Sequence, residues 1–445
     1  MSIMNEYKEK LVSPEEAVGA VQSGDKVHYG HFAMSPTFLD PYLAQRKDEL
    51  KDVKVYGVTY PGIAQVAACD PSRDHFMYHS WHFSGGDRIL HDKGLCNYIP
   101  MLYQEGPDLI SRYVDPGVVM IKVAPMDNNG YFNFSVSNSD TYCFVKKATK
   151  MIVEVCDKAP YCLGGNNEAV HISDVDMIVE TDNKPLIQVP VIEPTEVDKA
   201  VAAHVMELIE DGSVIQLGIG GMPNAVGAMI AKSDLKDLGC HTEVLVDAYV
   251  DMFEAGIMTG RKKTFDQGKM VYTFALGTQK LYDFLHMNRA AASCSVDYTN
   301  NPAISSRHNK LISVNNAIEI DLYGQVCSES SGTRHITGTG GQLDFINAAF
   351  RSEGGKGIVC LSSLKESKKG EKKSRIVPTL SPGGIVTVPR TMTHYVITEY
   401  GAVDLKGKST CERAELLISI AHPDTREELI KAAECQGIWR KNGKH

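Results

Sequence analysis

The chain lacks the features of membrane, secreted and nucleic-acid-binding proteins. Hydrophobic residues make up 43% of its 445 positions, yet no apolar run approaches the roughly 20 residues of a membrane span. The N-terminus has mixed charges and no apolar signal segment, so we expect a cytoplasmic protein. Acidic residues outnumber basic ones, 55 to 46, and leave a net charge of −9. This balance argues against a nucleic-acid partner.

Paired cysteine motifs are also absent. The eleven cysteines stand singly, without a C-x-x-C pair, which predicts reduced thiols and no disulfide framework. A catalytic cysteine needs a locally activated thiol, and the sequence singles none out. We therefore predict that most of the cysteines are small core residues.

What the sequence does have is a glycine-rich turn near its middle. Residues 218–224 read Gly-Ile-Gly-Gly-Met-Pro-Asn, after a strand-like run and before a helical pattern. Glycines let the backbone approach a ligand closely, and the first N–H groups of a helix attract negative charge. The turn lacks the third glycine of the dinucleotide fingerprint, so we interpret it as a site for a phosphate or an oxyanion.

A second glycine cluster, residues 338–341, and an acidic stretch between the two clusters suggest acyl chemistry. An acyl-transfer nucleophile must lie beside donors for an oxyanion. The residues alone do not choose among six nearby carboxylates, which are Glu243, Asp247, Asp251, Glu254, Glu319 and Asp344.

The sequence also repeats itself in outline. Three segments recur in one order: residues 24–30 and 212–218, residues 127–131 and 321–325, and residues 150–155 and 356–361. Strand runs alternate with helical patterns in both copies, which favours mostly parallel sheets with helices on their faces. With prolines marking a boundary near residue 190, we predict an α/β protein of two tandem halves, residues 1–190 and 191–445, with an active-site cleft between them.

The two predicted halves are not equivalent. Where the second copy has its glycine turn, the first reads Gly-His-Phe-Ala-Met at residues 30–34, which removes the close backbone approach. We expect the chemistry on the C-terminal half, with the N-terminal half closing over it and forming the acyl pocket. The candidate pocket residues are Phe32, Met34, Tyr60 and His82.

Two further clusters have simple structural interpretations. If helical, His75, His79 and His82 would share one face and could suit zinc. No fourth ligand is fixed nearby, so we expect no metal and a role at the mouth of the acyl pocket. Residues 365–373 form a basic charge run that is typical of a solvated hairpin tip. Its functional alternative is a lip, including Lys365, for an anionic nucleotide tail.

As a set, these motifs resemble the acetyl-CoA hydrolase/transferase branch of the class I coenzyme A transferases. The segments that carry the likeness are residues 123–134, 218–226, 241–243, 313–326, 338–345, 397–401 and 420–424. Residues 123–134 look most like the butyryl-CoA:acetate CoA-transferases, with 4-hydroxybutyrate CoA-transferases close behind. Residues 33–36 and 60–62 depart from the family pattern, which leaves the acyl-chain preference open.

The resemblance implies that Glu243 is the catalytic residue. The expected oxyanion and CoA-binding positions are Gly218, Ile219, Gly220, Gly221, Met222, Asn315, Ile318, Gly340, Gly341 and Lys365. The implied partners are acyl-CoAs and short-chain carboxylates, with no cofactor beyond coenzyme A as substrate. A homodimer or homotetramer is expected from the frequency of symmetric assemblies among enzymes.

In the mechanism that the resemblance implies, Glu243 attacks the acyl-CoA carbonyl, forms a mixed anhydride and releases the thiolate. The thiolate then attacks the glutamyl carbonyl, which gives a glutamyl-CoA thioester and the free acid, and acetate reverses these steps. Propionate or 4-hydroxybutyrate CoA-transferases would use the same residues. So would a hydrolase, in which water intercepts the intermediate. A non-catalytic CoA or nucleotide sensor is disfavoured, because nothing resembles a signalling or DNA-binding module.

Overall fold

The computed structural model describes residues 2–115, 117–165, 167–189, 192–366, 370 and 372–440. Helices and strands alternate along the chain, as the sequence periodicity predicts. Up to residue 190 the helices are α1 (Ile3–Lys10), α2 (Pro14–Gly19), α3 (Asp40–Gln45), α4 (Gln65–Ala68), α5 (Gly85–Asp92), α6 (Gly106–Leu109) and α7 (Thr141–Lys147). The strands are β1 (Lys26–Tyr29), β2 (Val53–Gly57), β3 (Phe76–Ser80), β4 (Asn97–Tyr98), β5 (Val118–Val123), β6 (Tyr131–Asn133), β7 (Lys150–Val155), β8 (Ala169–His171) and β9 (Met177–Glu180).

The remainder of the chain has the same alternation. Its helices are α8 (Glu196–Met206), α9 (Gly221–Ala231), α10 (Asp247–Glu254), α11 (Gln279–Leu285), α12 (Val296–Thr299), α13 (Pro302–Ser305), α14 (Gln342–Arg351), α15 (Thr410–Ser419) and α16 (Arg426–Cys435). Its strands are β10 (Val214–Leu217), β11 (Gly239–Leu245), β12 (Met270–Ala275), β13 (Ala291–Ser293), β14 (Leu311–Asn316), β15 (Glu319–Asp321), β16 (Val326–Cys327), β17 (Ser330–Ser331), β18 (Arg334–His335), β19 (Lys356–Cys360), β20 (Leu364–Glu366), β21 (Lys372–Ser374), β22 (Ile376–Val377), β23 (Tyr395–Thr398) and β24 (Gly401–Asp404).

Two large sheets repeat one topology. The first has the order β4-β3-β2-β1-β5-β7-β9, and all of its neighbouring strands run parallel. The second has the order β13-β12-β11-β10-β14-β19-β23-β24, with an antiparallel pair at the β23–β24 edge. Thus β10 takes the place of β1, β14 that of β5 and β19 that of β7. The predicted α/β class, parallel sheets and internal repeat are confirmed.

The repeat extends to individual hydrogen bonds. Asp127 accepts from the backbone N–H groups two and four residues further on, and Asp321 does the same in the second copy. The glycine of each turn, Gly130 or Gly324, has φ of +88°, a left-handed conformation that glycine adopts without strain. The two Asp-x-x-Gly turns predicted to correspond therefore do so atom by atom.

Several helices begin at a side-chain cap. Serine or threonine and an acid three residues later form reciprocal capping boxes, which satisfy N–H groups that the first helical turn leaves open. These boxes pair Ser13 with Glu16, Ser84 with Asp87, Thr195 with Asp198 and Ser409 with Glu412. Helices α9 and α14 have glycine at the N-cap position, Gly220 and Gly341, and no side-chain cap among the described residues. These two glycines belong to the two glycine clusters of the sequence.

Packing divides the chain into two compact units. The first comprises Met1–Pro190, Glu243–Asp247 and Val271–Thr299, and the second Val191–Thr242, Ala248–Met270 and Asn300–His445. The first unit has a core of buried aliphatic and aromatic side chains from α2 to β9, and the second a core that extends to α16. The functional halves predicted at residues 1–190 and 191–445 stay a prediction from sequence.

The cysteines are core residues for the most part, as predicted. All eleven are free thiols and seven are buried. Burial raises the pKa of Cys162 and Cys240 to about 12, so these thiols stay protonated near neutral pH. In the part of the chain that the structure describes, no helix has the length and apolarity needed to cross a membrane.

Candidate active site

Glu243 lies in β11, half-buried between the buried residues Thr242 and Val244. Its charge acts on the buried hydroxyl of Tyr103, in the same compact unit. Burial is the main cause that raises the pKa of Tyr103 well above its usual value, and the charges of Asp140 and Glu243 add to it. Glu243 therefore lies within electrostatic reach of a buried phenol.

Tyr103 belongs to an aromatic cluster of the first unit with Phe274 and Phe32. The ring of Phe32 stacks on Phe274 with 3.7 Å between centroids, and the Tyr103 ring lies 6.5 Å from Phe274. Phe32 has φ of +52°, a conformation that costs a bulky residue about 1–3 kcal/mol and persists only when packing holds it. Phe274 and Tyr103, unlike Phe32, could not be predicted from the sequence, because no motif connects residues so far apart.

The other predicted pocket residues have structural contacts of their own. The Tyr60 hydroxyl donates to the buried carboxylate of Asp40 at 3.0 Å, and its ring belongs to the core of the first unit. Met34 is buried at the end of a short 3-10 turn that Phe32 begins. His82 follows β3, and its carbonyl accepts from the backbone of Thr59 at 2.9 Å. Phe32 is thus a predicted pocket residue that contacts the aromatic cluster directly.

In the second unit, the glycine turn leads directly into helix α9, whose first N–H groups have no side-chain cap among the described residues. Gly220 has φ of +122° and ψ of −179°, a region that is essentially restricted to glycine. Helix α9 begins at Gly221, and the Gly220 carbonyl accepts from Asn224 at 3.0 Å. Met222 follows within the first helical turn. The N–H groups of Gly221 and Met222 therefore lie at the positive end of an eleven-residue helix.

Strand β10, which leads into this turn, is hydrogen-bonded to a side chain of α10. The Leu217 backbone N–H donates to the Tyr249 hydroxyl at 2.8 Å, and that hydroxyl lies 3.4 Å from the Ile215 carbonyl. The hydroxyl of Thr242 lies 3.5 Å from the Leu217 carbonyl. Along the chain, Leu217 precedes Gly218 and Thr242 precedes Glu243. Ile219 is half exposed in the turn.

The two glycine clusters converge on Asn316, which sequence reasoning missed. A Cβ placed on Gly220 would lie 3.8 Å from Asn316 Nδ2. The Asn316 carbonyl accepts from Gln342, which follows Gly341 at the start of α14, and from Ser328, at 3.3 and 3.2 Å. Gly340 has φ of +53°. The sequence did contain a signal that could have identified Asn316, because this residue belongs to the motif at residues 313–326.

Asn315, the predicted side-chain donor, already uses its amide. Asn315 Nδ2 donates to Ser313 Oγ at 2.8 Å and to Gln216 Oε1 at 3.2 Å. Ser313 in turn donates to Gln216 at 2.7 Å. The oxyanion role of Asn315 stays a prediction, and it requires this amide to exchange one of these contacts for the substrate.

Two cavities of the second unit contain other predicted residues. Gly221, Met222 and Asn316 line one of about 220 Å³. Ile318 and Lys365 line another of about 560 Å³. The guanidinium of Arg375 lines both cavities and gives the adjoining walls a positive charge.

The basic charge run forms the hairpin that the sequence predicts. Strands β20 and β21 pair antiparallel, with Lys365 opposite Lys373. Both lysines are exposed and line the larger cavity. The predicted hairpin tip, residues 367–369 and 371, lies outside the described residues.

Several competing carboxylates have structural contacts. Asp247 accepts from the backbone N–H and hydroxyl of Thr278 at 2.9 and 2.5 Å, just before α11. Glu319 accepts from the backbone N–H and hydroxyl of Ser381 at 2.7 and 2.8 Å. Asp344 is buried in α14. The contacts of Asp247 and Glu319 give these two acids roles in holding a helix start and a loop.

The histidine cluster is not helical, so the condition under which its three side chains would share one face is not met. Residues 76–80 form strand β3, whose alternating burial follows from the side-chain period of two. His75 Nδ1 lies 2.7 Å from the Leu50 carbonyl, and His79 stacks on Tyr56 at 4.9 Å. Among the described residues, no group of three or more His, Cys, Asp or Glu side chains has a metal-binding arrangement.

A buried basic cluster supports the first half of β11. His241 Nδ1 lies 3.1 Å from His308 Nε2, and Phe265 stacks on the His308 ring at 3.9 Å. Lys263 is also buried, and its Nζ donates to the Cys240 carbonyl at 2.9 Å. Burial, followed by the neighbouring His241, lowers the pKa of His308 to about 2. The imidazole is therefore neutral in the folded protein.

This burial predicts acid sensitivity of the fold. Below about pH 6.5 His308 is protonated in the unfolded chain but not in the folded chain. The free energy of unfolding therefore falls by up to about 1.4 kcal/mol for each pH unit of acidification. His308→Phe keeps a ring against Phe265 and removes the titration. We expect it to flatten the fall in unfolding free energy between about pH 6.5 and about pH 5, measured by urea unfolding. A slope identical to the wild type would contradict this.

Comparison with known proteins agrees with the sequence motifs. Residues 1–193 match the acetyl-CoA hydrolase/transferase N-terminal domain, and residues 277–433 match the C-terminal domain. The probable butyrate:acetyl-CoA coenzyme A-transferase of Syntrophomonas wolfei is 50% identical over 99% of both chains. The butyryl-CoA:acetate CoA-transferase of Anaerostipes caccae is 48% identical over 100% of both. The crystal structure of RipA from Yersinia pestis superposes with a TM-score of 0.91 at 36% identity, covering 98% of this chain and 100% of that one.

A doubly repeated α/β fold with this full-length similarity defines a coenzyme A transferase. The chain belongs to the acetyl-CoA hydrolase/transferase family, as the motif set indicated. It is an enzyme that transfers coenzyme A between carboxylates.

Proposed function

We propose that the enzyme converts butyryl-CoA and acetate to butyrate and acetyl-CoA, through a glutamyl-CoA thioester on Glu243. The observation that carries the proposal is the full-length identity of about half to two relatives named for this pair of substrates. The position of Glu243 supports it, since a half-buried acid whose charge acts on a buried phenol, itself 6.5 Å from the Phe274 ring, suits a nucleophile that receives an apolar acyl chain.

A covalent intermediate on the Glu243 carboxylate explains how the free energy of the thioester bond is conserved during transfer. Attack of Glu243 on the acyl carbonyl gives a mixed anhydride and a thiolate. The thiolate then attacks the glutamyl carbonyl and expels butyrate. Acetate attacks the glutamyl thioester and the same steps run backwards, so each half-reaction exchanges acyl derivatives of similar energy.

Each of these steps passes through a tetrahedral oxyanion that needs fixed donors. We infer that the open N–H groups at Gly221 and Met222 serve this purpose, because no described side chain caps α9. Loss of one such donor typically costs about 10²–10³ in rate. Gly340 and Gly341, before α14, are the second candidate pair, and the basic wall with Lys365 and Arg375 would accept the phosphates of coenzyme A.

A matrix of donors and acceptors tests this proposal. Acetyl-, propionyl-, butyryl- and 4-hydroxybutyryl-CoA are each incubated with acetate, propionate, butyrate or water, and the CoA products are separated. The proposal predicts the largest kcat/KM for butyryl-CoA with acetate and little free CoA without an acid acceptor. Acceptor-independent release of CoA would identify a hydrolase, and a preference for 4-hydroxybutyryl-CoA would contradict the proposed donor.

Acyl-chain preference should respond to the Phe32–Phe274 stack. Shortening either ring enlarges an apolar wall, and pocket changes of about a methylene alter discrimination by about 10–200-fold. We therefore expect Phe274→Leu and Phe32→Leu to change the ratio of butyryl-CoA to acetyl-CoA turnover within that range. Leu90, a core residue of the first unit, provides the control Leu90→Met. Unchanged ratios in both ring variants would exclude this wall as the acyl site.

A further inference from the structure

A largely buried ion pair joins two neighbouring strands of the first sheet. Lys122 in β5 and Glu154 in β7 lie opposite each other in the strand pairing, and Lys122 Nζ is 3.4 Å from Glu154 Oε1. The Glu154 side chain has no solvent exposure, and that of Lys122 is 11% exposed. Because taking two charges out of water is costly, a buried ion pair is weak evidence of stabilisation. The contacts of this pair instead indicate a role in fixing the chain segment 30–39.

The ion pair binds three consecutive residues just before α3. The Glu154 carboxylate accepts from the backbone N–H groups of Phe38 and Leu39 at 3.2 and 3.0 Å. Lys122 Nζ donates to Thr37 Oγ1 at 2.7 Å. One end of the segment is therefore held by side chains of two adjacent strands.

Hydrogen bonds connect this end of the segment to Phe32. The Thr37 N–H donates to the Ser35 carbonyl at 2.8 Å, and the Ser35 N–H donates to the Phe32 carbonyl at 3.1 Å. The Ser35 hydroxyl donates to the Gly30 carbonyl at 2.9 Å and closes the turn. A Cβ on Gly30 would overlap the Met34 carbonyl oxygen, so the turn is packed too closely for a side chain at this position.

Phe32 needs this support because its backbone is strained. Its φ of +52° lies in the left-handed region, which a bulky residue keeps only when the surrounding structure holds it. The Phe32 N–H donates to the Val58 carbonyl at 3.2 Å, and the ring stacks on Phe274 at 3.7 Å. If the segment is released at its other end, we expect the backbone to relax and the ring to leave this stacked position.

We propose that Glu154 and Lys122 are positioning residues that set the acyl-chain preference of the CoA-transfer reaction. The ion pair holds residues 37–39, and the hydrogen-bonded turn then holds the Phe32 ring against Phe274. Both charged residues act through the position of Phe32 and not by contact with the acyl group. This inference rests on the proposed function, in which the Phe32–Phe274 stack forms the wall of the acyl site.

Glu154→Gln tests this role, because it keeps the shape of the side chain and removes the charge that faces Lys122. We expect the ratio of kcat/KM for butyryl-CoA to that for acetyl-CoA to change in the same direction as in Phe32→Leu. The change should fall within the range of about 10–200-fold that a methylene-sized pocket change produces. Thr37→Val removes only the hydroxyl that Lys122 binds and keeps the ion pair, so it remains informative if Glu154→Gln fails to fold. It should change the ratio in the same direction.

A double variant and a matched control separate positioning from general stability. Glu154→Gln combined with Phe32→Leu should have the ratio of Phe32→Leu alone, because Glu154 acts through that ring. Asp70→Asn is the control, since the buried Asp70 also accepts from two consecutive backbone N–H groups, those of His75 and Phe76, at 2.8 and 3.0 Å. This control should lose stability in thermal unfolding and keep the wild-type ratio.

The charge of Glu154 gives a second readout. Burial raises the pKa of this carboxyl to about 7, although the charge of Lys122 opposes the shift. As the pH falls from about 8 to about 6, the wild-type ratio should therefore approach that of Glu154→Gln, whose own ratio should not change. A ratio of two donors on one enzyme cancels groups that titrate equally for both. The other titratable groups around the ion pair, all kept in this variant, are Tyr29, Asp40, Tyr60 and Asp182.

The outcomes distinguish this inference from the proposed function. The role of the ion pair alone is overturned if Phe32→Leu changes the ratio while Glu154→Gln and Thr37→Val keep the wild-type value. Additive changes in the double variant, or a wild-type ratio that is independent of pH, would also overturn it. If neither Phe32→Leu nor Phe274→Leu changes the ratio, the proposed acyl wall fails and the inference fails with it. A changed, pH-independent ratio in Glu154→Gln and an unchanged ratio in Asp70→Asn would support the proposal.

Discussion

Glu243→Ala is expected to lower butyryl-CoA:acetate exchange by at least about 10⁴-fold, because removal of a covalent nucleophile leaves only binding and oxyanion stabilisation. Glu243→Asp keeps the carboxylate but withdraws it by one methylene, and a displacement of about 1 Å can cost about 10²-fold. The two variants should therefore rank clearly below the wild type, with aspartate above alanine. Initial rates with butyryl-CoA and acetate give both ratios.

A second acid provides the control that separates loss of the nucleophile from a general effect of removing one negative charge. Glu254 lies at the exposed end of α10, and Glu254→Gln should keep wild-type rates. Binding of CoA by Glu243→Ala, measured by calorimetry, should also persist. Exchange near the wild-type rate in Glu243→Ala would remove Glu243 from the mechanism.

The second large effect is expected from Gly220→Ala. The backbone of Gly220, at φ of +122°, is one that a residue with a Cβ adopts only under strain of about 1–3 kcal/mol. The turn must then change, and the N–H groups of Gly221 and Met222 lose their alignment. Because each oxyanion donor contributes about 10²–10³ in rate, we expect kcat to fall by at least about 10²-fold.

Gly256→Ala is the control for backbone strain. Gly256 has φ of +75° in an exposed turn after α10, where a Cβ would meet no atom within 4 Å. This variant should lose stability in thermal unfolding while its kcat stays near that of the wild type. Equal kcat values for the two alanine variants would show that the 218–222 turn does not act in catalysis.

Much of the fold could be predicted because the sequence repeats its local signals. The Asp-x-x-Gly turns at residues 127 and 321, and the strands β7 and β19 that follow them, are specified by short-range patterns. Short-range patterns of this kind are present in both copies of the repeat. The strand order of the sheets, by contrast, depends on long-range packing that no single segment contains.

The absence of a helix at His75, His79 and His82 has a physical cause. A spacing of four and then three is compatible with one helical face, but Phe76, Tyr78 and Ser80 alternate as a buried strand face does. The period of two was the stronger signal. Histidine spacing says nothing about secondary structure by itself.

The hydrogen bonds among His31, Ser139 and Tyr103 could not be predicted from the sequence. His31, Tyr103 and Ser139 lie in separate loops and turns, and only the packed fold brings them together. Phe274 likewise belongs to a buried strand that reads as ordinary core. Glu243 could be predicted as the catalytic residue only from the family resemblance, because its own segment does not distinguish it from the five other acids.

The most direct test of the central claim is to trap the carrier. The enzyme is incubated with butyryl-CoA in the absence of an acceptor, treated with sodium borohydride, digested and analysed by mass spectrometry. The mechanism predicts coenzyme A bound to the peptide containing Glu243 before reduction, and an alcohol in place of its carboxylic acid afterwards, with loss of activity. An unmodified Glu243 in enzyme that still exchanges CoA, or modification of Asp247 or Glu319 instead, would contradict it.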